Sequence, residues 1–177
     1  MSQRQLPDAI STGLRYGWLF GFIMLGIYIL YIVMDRVSGF PTRFLLLQGA
    51  TSTVITYGIP GALLLIVAPV FLIGGILASA KTGRASSGWV AGQFGGLIYG
   101  IGSFLVFGTV YFVFVLPTLG LSALDPTLYW LDVVRVLSNQ LVTIVLIGGV
   151  FMANLAGIIG GLIGRGRGRR RLSFSGA

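Results

Sequence analysis

The sequence contains no cysteine and no histidine, and its only acidic residues are four aspartates. Without cysteine there is neither a disulfide framework nor a thiol nucleophile, and without histidine there is no imidazole base. Zinc sites built on these residue types and haem ligation by histidine are excluded as well. The aspartates, at positions 8, 35, 125 and 132, place no pair of carboxylates inside an apolar run. We therefore expect a non-catalytic protein, not an enzyme, with no cofactor and no metal.

Charged residues are scarce throughout the chain. They make up 9% of the 177 residues, whereas 55% of the residues are hydrophobic. Soluble domains contain about 25% charged residues. A chain this short cannot bury so much apolar surface and also cover itself with polar groups. Lipid must therefore be part of its solvent, and the composition predicts an integral membrane protein.

Long apolar runs predict four transmembrane helices. One crossing of a hydrocarbon core of about 30 Å takes about 20 residues. The apolar stretch 44–80 is too long for one crossing, and Gly58 and Pro60 divide it into an interfacial part and a spanning part. The predicted spans are 16–34, 58–80, 89–116 and 141–163.

Two further segments, 44–57 and 125–139, are expected at the outer membrane interface. Asp125 followed by Pro126 is a typical helix start, with a capping acid and then proline at the first helical position. The predicted fold class is an all-α membrane protein with four transmembrane helices, in two tandem parallel two-helix repeats. The repeats are 1–88 and 89–163, and a basic cytoplasmic tail follows at 164–177.

An internal repeat is the basis for this division. Three short matches occur in the same order at offsets of 83, 85 and 86 residues: GLRYG at 13–17 with GLIYG at 96–100, Pro-Thr at 41–42 with 126–127, and GGIL at 74–77 with GGLI at 160–163. Two crossings per repeat would make the halves parallel, with any pseudo-two-fold axis along the membrane normal. The alternative is chance matching in a chain rich in glycine and leucine.

The distribution of basic residues predicts the orientation. With four crossings, one side of the membrane holds nine of the twelve basic residues: Arg4, Arg15, Lys81, Arg84, Arg165, Arg167, Arg169, Arg170 and Arg171. Only Arg36, Arg43 and Arg135 lie on the other side. By the positive-inside rule, both termini are expected in the cytoplasm.

Small residues recur at every fourth position in three of the predicted spans. They are Gly13, just before the first span, with Gly17 and Gly21 on it, Gly92, Gly96 and Gly100 on the third, and Gly149, Ala153, Gly157 and Gly161 on the fourth. A spacing of four keeps them on one helix face, where small residues let helix backbones approach closely. We expect these residues to pack the helices together, most simply the third span against the fourth. The alternatives are contact with a partner protein, or a groove for lipid or pigment.

Two polar features remain. Asn154 lies near the middle of the fourth span, where an interhelical hydrogen bond is favoured over a role in a substrate site. The tail contains five arginines: Arg165, Arg167, Arg169, Arg170 and Arg171. They serve as a topology anchor or bind anionic lipid headgroups. Binding to nucleic acid is not expected, because the cytoplasmic side has no aromatic stacking platform.

The passage from the second to the third span contains GGILA at 74–78, KTGR at 81–84 and GWVAG at 88–92. It resembles small uncharacterised prokaryotic membrane proteins with four glycine-rich helices. The resemblance implies a prokaryotic plasma membrane and no defined activity. The lack of reactive side chains and the abundance of packing glycines favour an accessory or scaffold subunit of a membrane complex, with a membrane-protein partner or further copies of the chain. The alternative is a small pore or carrier for a neutral solute or a lipid.

Reporter fusions test the predicted topology. A reporter that is active only in the cytoplasm should be active when fused at residue 177 and when inserted within 81–88, because both positions lie on the side rich in basic residues. A fusion at residue 120, on the opposite side, is the control and should be inactive. Activity of a periplasm-only reporter at residue 177 would contradict the four-crossing topology.

Overall fold

The computed structural model describes residues 8–49, 59–119 and 126–174, and every regular element in these residues is helical. Four helices are long and apolar enough to span a membrane. The predicted class, an all-α membrane protein with four spanning helices, is therefore confirmed.

The first long helix, α1, covers Ala9–Ser38 and extends beyond the predicted span at both ends. Asp8 caps its start, because the Asp8 carboxylate accepts hydrogen bonds from the backbone N–H groups of Ile10 at 3.3 Å and Ser11 at 3.2 Å. Gly39, with φ of 72°, ends the helix in the left-handed conformation that glycine adopts without strain. The capping groups thus set the ends of α1 outside its most apolar part.

A short helix, α2, covers Thr42–Leu47 and overlaps the start of the predicted outer segment 44–57. The backbone N–H of Thr42 donates to the Asp35 carboxylate at 3.3 Å, which connects α2 to the end of α1. The part of this segment at 50–57 lies outside the described residues, and so does residue 58, the first of the predicted second span.

A tight turn joins α3, Ile59–Thr82, to α4, Ala85–Val110. Gly83 adopts φ of 67° there. Three fully buried hydroxyl groups connect the two helices: Ser87 Oγ lies 2.7 Å from Thr82 Oγ1 and 3.3 Å from Ser79 Oγ. These hydrogen bonds satisfy hydroxyls that would be costly to leave unpaired in an apolar environment. The sequence analysis did not predict this cluster.

Beyond α4, the chain continues as a π-helix at Tyr111–Val115 and a 3-10 turn at Leu116–Leu119. The next described element, α5, covers Pro126–Gln140. It runs into a π-helical segment, Leu141–Met152, and then into α6, Ala153–Phe174, without an intervening loop.

The predicted interfacial segment 125–139 is therefore continuous with the fourth span, and most of the tail 164–177 is helical. Both findings differ from the sequence analysis, which treated these parts as separate. The physical reason is that Pro126 is the last proline in the chain, so every later residue can donate a backbone hydrogen bond. Residue 125 and residues 175–177 lie outside the described part of the chain.

The spanning helices form a bundle in which α4 contacts α1, α3 and α6, and α3 also contacts α1 and α6. Helices α1 and α6 lie on opposite sides and have at most marginal contact. A two-fold axis relating the proposed repeats would make the α1–α6 and α3–α4 contacts equal, and they are unequal. The described helices therefore do not show this two-fold symmetry, and the repeat stays a prediction from the sequence.

The bundle has two ends, which we name by their connections. The turn end carries the α3–α4 turn at Gly83, and the far end carries α2 and the start of α5. The buried core lies between them and includes Met24, Val67 and Phe71. Large apolar side chains such as Leu65 and Phe151 point outward and are exposed, as expected for a surface in contact with lipid.

Candidate functional site

The stripes of small residues on α4 and α6 lie directly against each other. A methyl group added at Gly88 would lie 2.5 Å from Cα of Gly161, and one added at Gly92 would lie 2.8 Å from Cα of Gly157. Real Cβ atoms essentially never lie within 3.0 Å of such neighbours. The two helices are therefore in backbone contact along this face, which we call the α4–α6 seam.

The seam continues toward the far end. Gly96 faces Gly149 and Ala153, and a methyl group added at Gly100 would lie 3.5 Å from Cα of Gly149. Residue numbers rise along α4 as they fall along the facing chain, so the two helices run antiparallel.

A second seam joins α6 to α3. A methyl group added at Gly160 would lie 3.0 Å from the backbone nitrogen of Ile76, and one added at Gly75 would lie 3.1 Å from Cα of Gly157. Gly164 is also in backbone contact with Ile76. The sequence analysis did not identify Gly75, Gly160 and Gly164 as packing residues. The available signal was a second stripe on α6 at spacing four, Ala156, Gly160 and Gly164.

The glycines of α1 form a third seam, against α4. A methyl group added at Gly17 would lie 3.2 Å from the backbone nitrogen of Gly95, and one added at Gly21 would lie 3.0 Å from Cα of Gly95. At Gly13 the nearest backbone atom is the Ser87 carbonyl oxygen, at 2.8 Å. Gly95 was missed from the sequence because it falls outside the stripe of Gly92 and Gly96.

Four Gly-Gly pairs lie where one helix meets two others. Residues i and i+1 point about 100° apart around a helix, so a pair of glycines opens two neighbouring faces at one level. Gly95 faces α1, while Gly96 faces the fourth helix; Gly160 faces α3, while Gly161 faces α4.

The other two pairs follow the same rule. A methyl group added at Gly74 would lie 2.9 Å from the Phe20 ring of α1, while Gly75 faces α6. At Gly148 it would lie 2.9 Å from Leu64 of α3, while Gly149 faces α4. Every Gly-Gly pair in the sequence therefore marks a junction of three helices.

The predicted interhelical hydrogen bond of Asn154 is not formed by its carbonyl oxygen. Within the described part of the chain, Asn154 Oδ1 is buried without a hydrogen-bond partner, and so are Ser103 Oγ and Tyr111 OH. Thr109 instead donates to the Leu105 carbonyl of its own helix at 2.9 Å. The structure thus leaves three buried polar atoms unpaired, all in the spanning helices.

The arginines of the tail follow the last contacts of the bundle. Gly164 still packs against α3, whereas Arg167 is exposed and Arg165 is partly exposed. The backbone at Arg169, Arg170 and Arg171 is helical, and the side chains of these three residues lie outside the described part. The structure therefore places the basic segment on a helix that extends past the turn end.

A small cavity lies among all four spanning helices, nearer the far end. Its volume is about 60 Å³. Five polar side chains line it: Tyr28, Tyr31, Tyr99, Gln140 and Thr143. The remaining lining side chains are apolar: Ile32, Leu63, Leu64, Phe107 and Ile144. The sequence analysis missed this cavity, because its residues are spread over more than a hundred positions and no short motif connects them.

A larger groove lies between α3 and α6, at the level where Pro69 interrupts the backbone hydrogen bonding of α3. Its volume is about 320 Å³, and every side chain along it is apolar. Pro69 and Leu72 form one wall, and Met152, Leu155 and Ile159 form the other. A groove of this composition fits an apolar segment, because it offers no hydrogen-bonding side chain.

No family model, curated protein or solved structure matches this chain. The class of protein therefore rests on its own features, and these define a multi-pass helical membrane protein. Its most distinctive structural features are the three glycine seams and the cavity lined by tyrosines.

Substitutions at the seams should destabilise the bundle. Gly96→Leu and Gly157→Leu place a side chain against the backbone of another helix, and we expect each to cost about 3 kcal/mol or more, at or above the upper end of ordinary overpacking. Gly108→Leu on α4 is the matched control, because a methyl group there would meet nothing within 4 Å.

Thermal unfolding in mild detergent, followed by circular dichroism, measures the effect. The control variant should unfold at or slightly above the wild-type temperature, since leucine has a higher helix propensity than glycine. Equal unfolding temperatures for Gly157→Leu and Gly108→Leu would show that the seam does not determine stability.

Proposed function

We propose that this protein is a non-catalytic accessory or scaffold subunit of a membrane complex. The observation that carries the proposal is the closure of the bundle at Gly157. There α6 is in backbone contact with α3 at Gly75 and with α4 at Gly92. A bundle closed in this way is suited to hold its shape beside a partner.

The alternative is a pore or carrier for a neutral solute or a lipid. The only feature of the described bundle that favours it is the cavity lined by tyrosines. Its volume of about 60 Å³ is small, and toward the turn end the α4–α6 seam closes the bundle. A path through one chain would require α4 and α6 to separate by the width of a solute. Such a movement would give up many dispersion contacts at once.

The outer surface of the bundle supports the accessory role. The apolar groove between α3 and α6 offers a recessed surface for a transmembrane helix of a partner. In hydrocarbon, association of helices depends on shape and close packing rather than on removal of apolar surface from water. A recessed apolar surface is therefore a better basis for specific pairing than a flat one.

Purification of the tagged protein from its native membrane in mild detergent tests this proposal. A membrane protein should be retained in fixed stoichiometry. Leu155→Trp should displace it, because the larger ring would fill the groove between α3 and α6. Leu105→Trp is the matched control, because Leu105 is exposed on α4 and does not line the groove, and it should leave the complex intact.

A protein that purifies alone and carries a neutral solute into liposomes would overturn the accessory role in favour of the carrier.

We also propose that both termini lie in the cytoplasm of a prokaryotic cell and that the basic end of α6 binds anionic lipid headgroups. The arginines on the helix beyond Gly164 would lie at headgroup level on the turn side of the bundle. Each basic residue near an anionic surface contributes roughly 1 kcal/mol of attraction. The attraction falls with salt, because the Debye length is about 8 Å at physiological ionic strength.

Native mass spectrometry of the full-length protein tests the lipid contact. Replacing Arg165, Arg167, Arg169, Arg170 and Arg171 with glutamine should reduce the number of anionic lipids that copurify, and added salt should reduce it in the wild type. Replacing Arg36, Arg43 and Arg135 is the control, since these residues are predicted on the opposite side. Equal retention of anionic and zwitterionic lipids by the wild type would contradict the proposal.

A further inference from the structure

Five hydrogen-bonding side chains converge on the cavity among the four helices, although the surrounding protein is almost wholly apolar. Tyr28 and Tyr31 come from α1, Tyr99 from α4, Gln140 from the end of α5 and Thr143 from the π-helical segment. Tyr28 and Tyr99 are 3% and 1% exposed, so their rings belong to the core of the bundle. The cavity thus brings together polar side chains from α1, α4 and the continuous α5 and π-helical segment.

The chemistry of the lining restricts the occupant to a neutral molecule. Among the described residues, no lysine, arginine or aspartate lines the cavity, so these residues offer a bound ion no opposite charge to pair with. The three phenols, the amide and the hydroxyl can both donate and accept hydrogen bonds. They therefore suit an occupant that also does both.

The size of the cavity restricts the occupant further. A volume of about 60 Å³ is well below the roughly 150 Å³ of a cavity that holds benzene, and it leaves room for a few water molecules. A buried water needs two to four polar partners, and five polar side chains meet this requirement. An empty cavity would be expected only if its walls were apolar.

We propose that this cavity is a hydration site in which a few ordered water molecules bridge Tyr28, Tyr99 and Thr143 across the helices. The waters satisfy phenol and hydroxyl groups that apolar side chains would leave unpaired. They hold the far end of the bundle together by hydrogen bonds, whereas glycine contacts hold the turn end. This inference is independent of the accessory role, because it concerns the interior of one chain.

Radiolytic hydroxyl-radical footprinting of the full-length protein in lipid nanodiscs tests the site. Ionising radiation produces radicals from bound water, so side chains next to an internal water are labelled even when they are buried. Tyr28 and Tyr99 should be labelled several-fold more than Phe71 and Met24, which are 1% and 0% exposed and do not line the cavity. Met24 is a stringent control, because methionine is chemically more reactive toward radicals than tyrosine.

A substitution that fills the cavity gives a second, matched comparison. Thr143→Leu replaces a lining hydroxyl with a larger apolar group and should reduce the labelling of Tyr28 and Tyr99 several-fold. Thr109→Leu makes the same change on an exposed face of α4 and should leave the labelling unchanged. Should Thr143→Leu fail to fold, the wild-type labelling still decides the question. Labelling of Tyr28 and Tyr99 at or below that of Phe71 would overturn the proposal.

Discussion

The structure depends on the close approach of helix backbones at glycine. Hydrocarbon does not drive apolar helix surfaces together, so packing contacts must supply much of the association energy. In this bundle the closest contacts lie along three glycine seams, and the four Gly-Gly pairs each open two faces of a helix at one level. Gly157 joins the two seams of α6, because it is in backbone contact with both α3 and α4. A side chain added at this position would point at the α4 backbone, at Gly88 and Gly92, whereas one added at Gly75 would meet Gly157 from the α3 side.

The two ends of the bundle are stabilised differently as a result. Toward the turn end, the helices are in direct contact and a buried hydroxyl cluster joins Ser79, Thr82 and Ser87. Toward the far end, aromatic side chains such as Tyr28 and Tyr99 line a small cavity among the helices. Close packing and a cavity can coexist because glycine and tyrosine differ so much in volume. The change from close packing at the turn end to a cavity nearer the far end follows from where glycine and tyrosine lie along the helices.

The proposed role follows from what the bundle can and cannot offer. Among the described residues there is no cluster of acidic residues for a metal, and toward the turn end α4 and α6 are in backbone contact. They do offer a closely packed interior and a recessed apolar groove beside Pro69. These properties suit a protein that positions another membrane protein. The basic end of α6 would add an orientation relative to charged lipid headgroups.

The sequence by itself determined the membrane class, the number of spans and the helix faces that carry Gly92, Gly96, Gly157 and Gly161. These properties are local: hydropathy is summed over about 20 residues, and a spacing of four keeps residues on one face. The sequence also contains the signals for the Asp8 cap and for the second stripe on α6, which are an aspartate just before the helix and small residues at a spacing of four. Only the tertiary structure decided which helix each glycine faces, that α1 and α6 do not pack together, and that Asn154 Oδ1 is left unpaired. It alone brought Tyr28, Tyr99 and Thr143 around one cavity, because the position of one helix beside another depends on contacts between residues far apart in the chain.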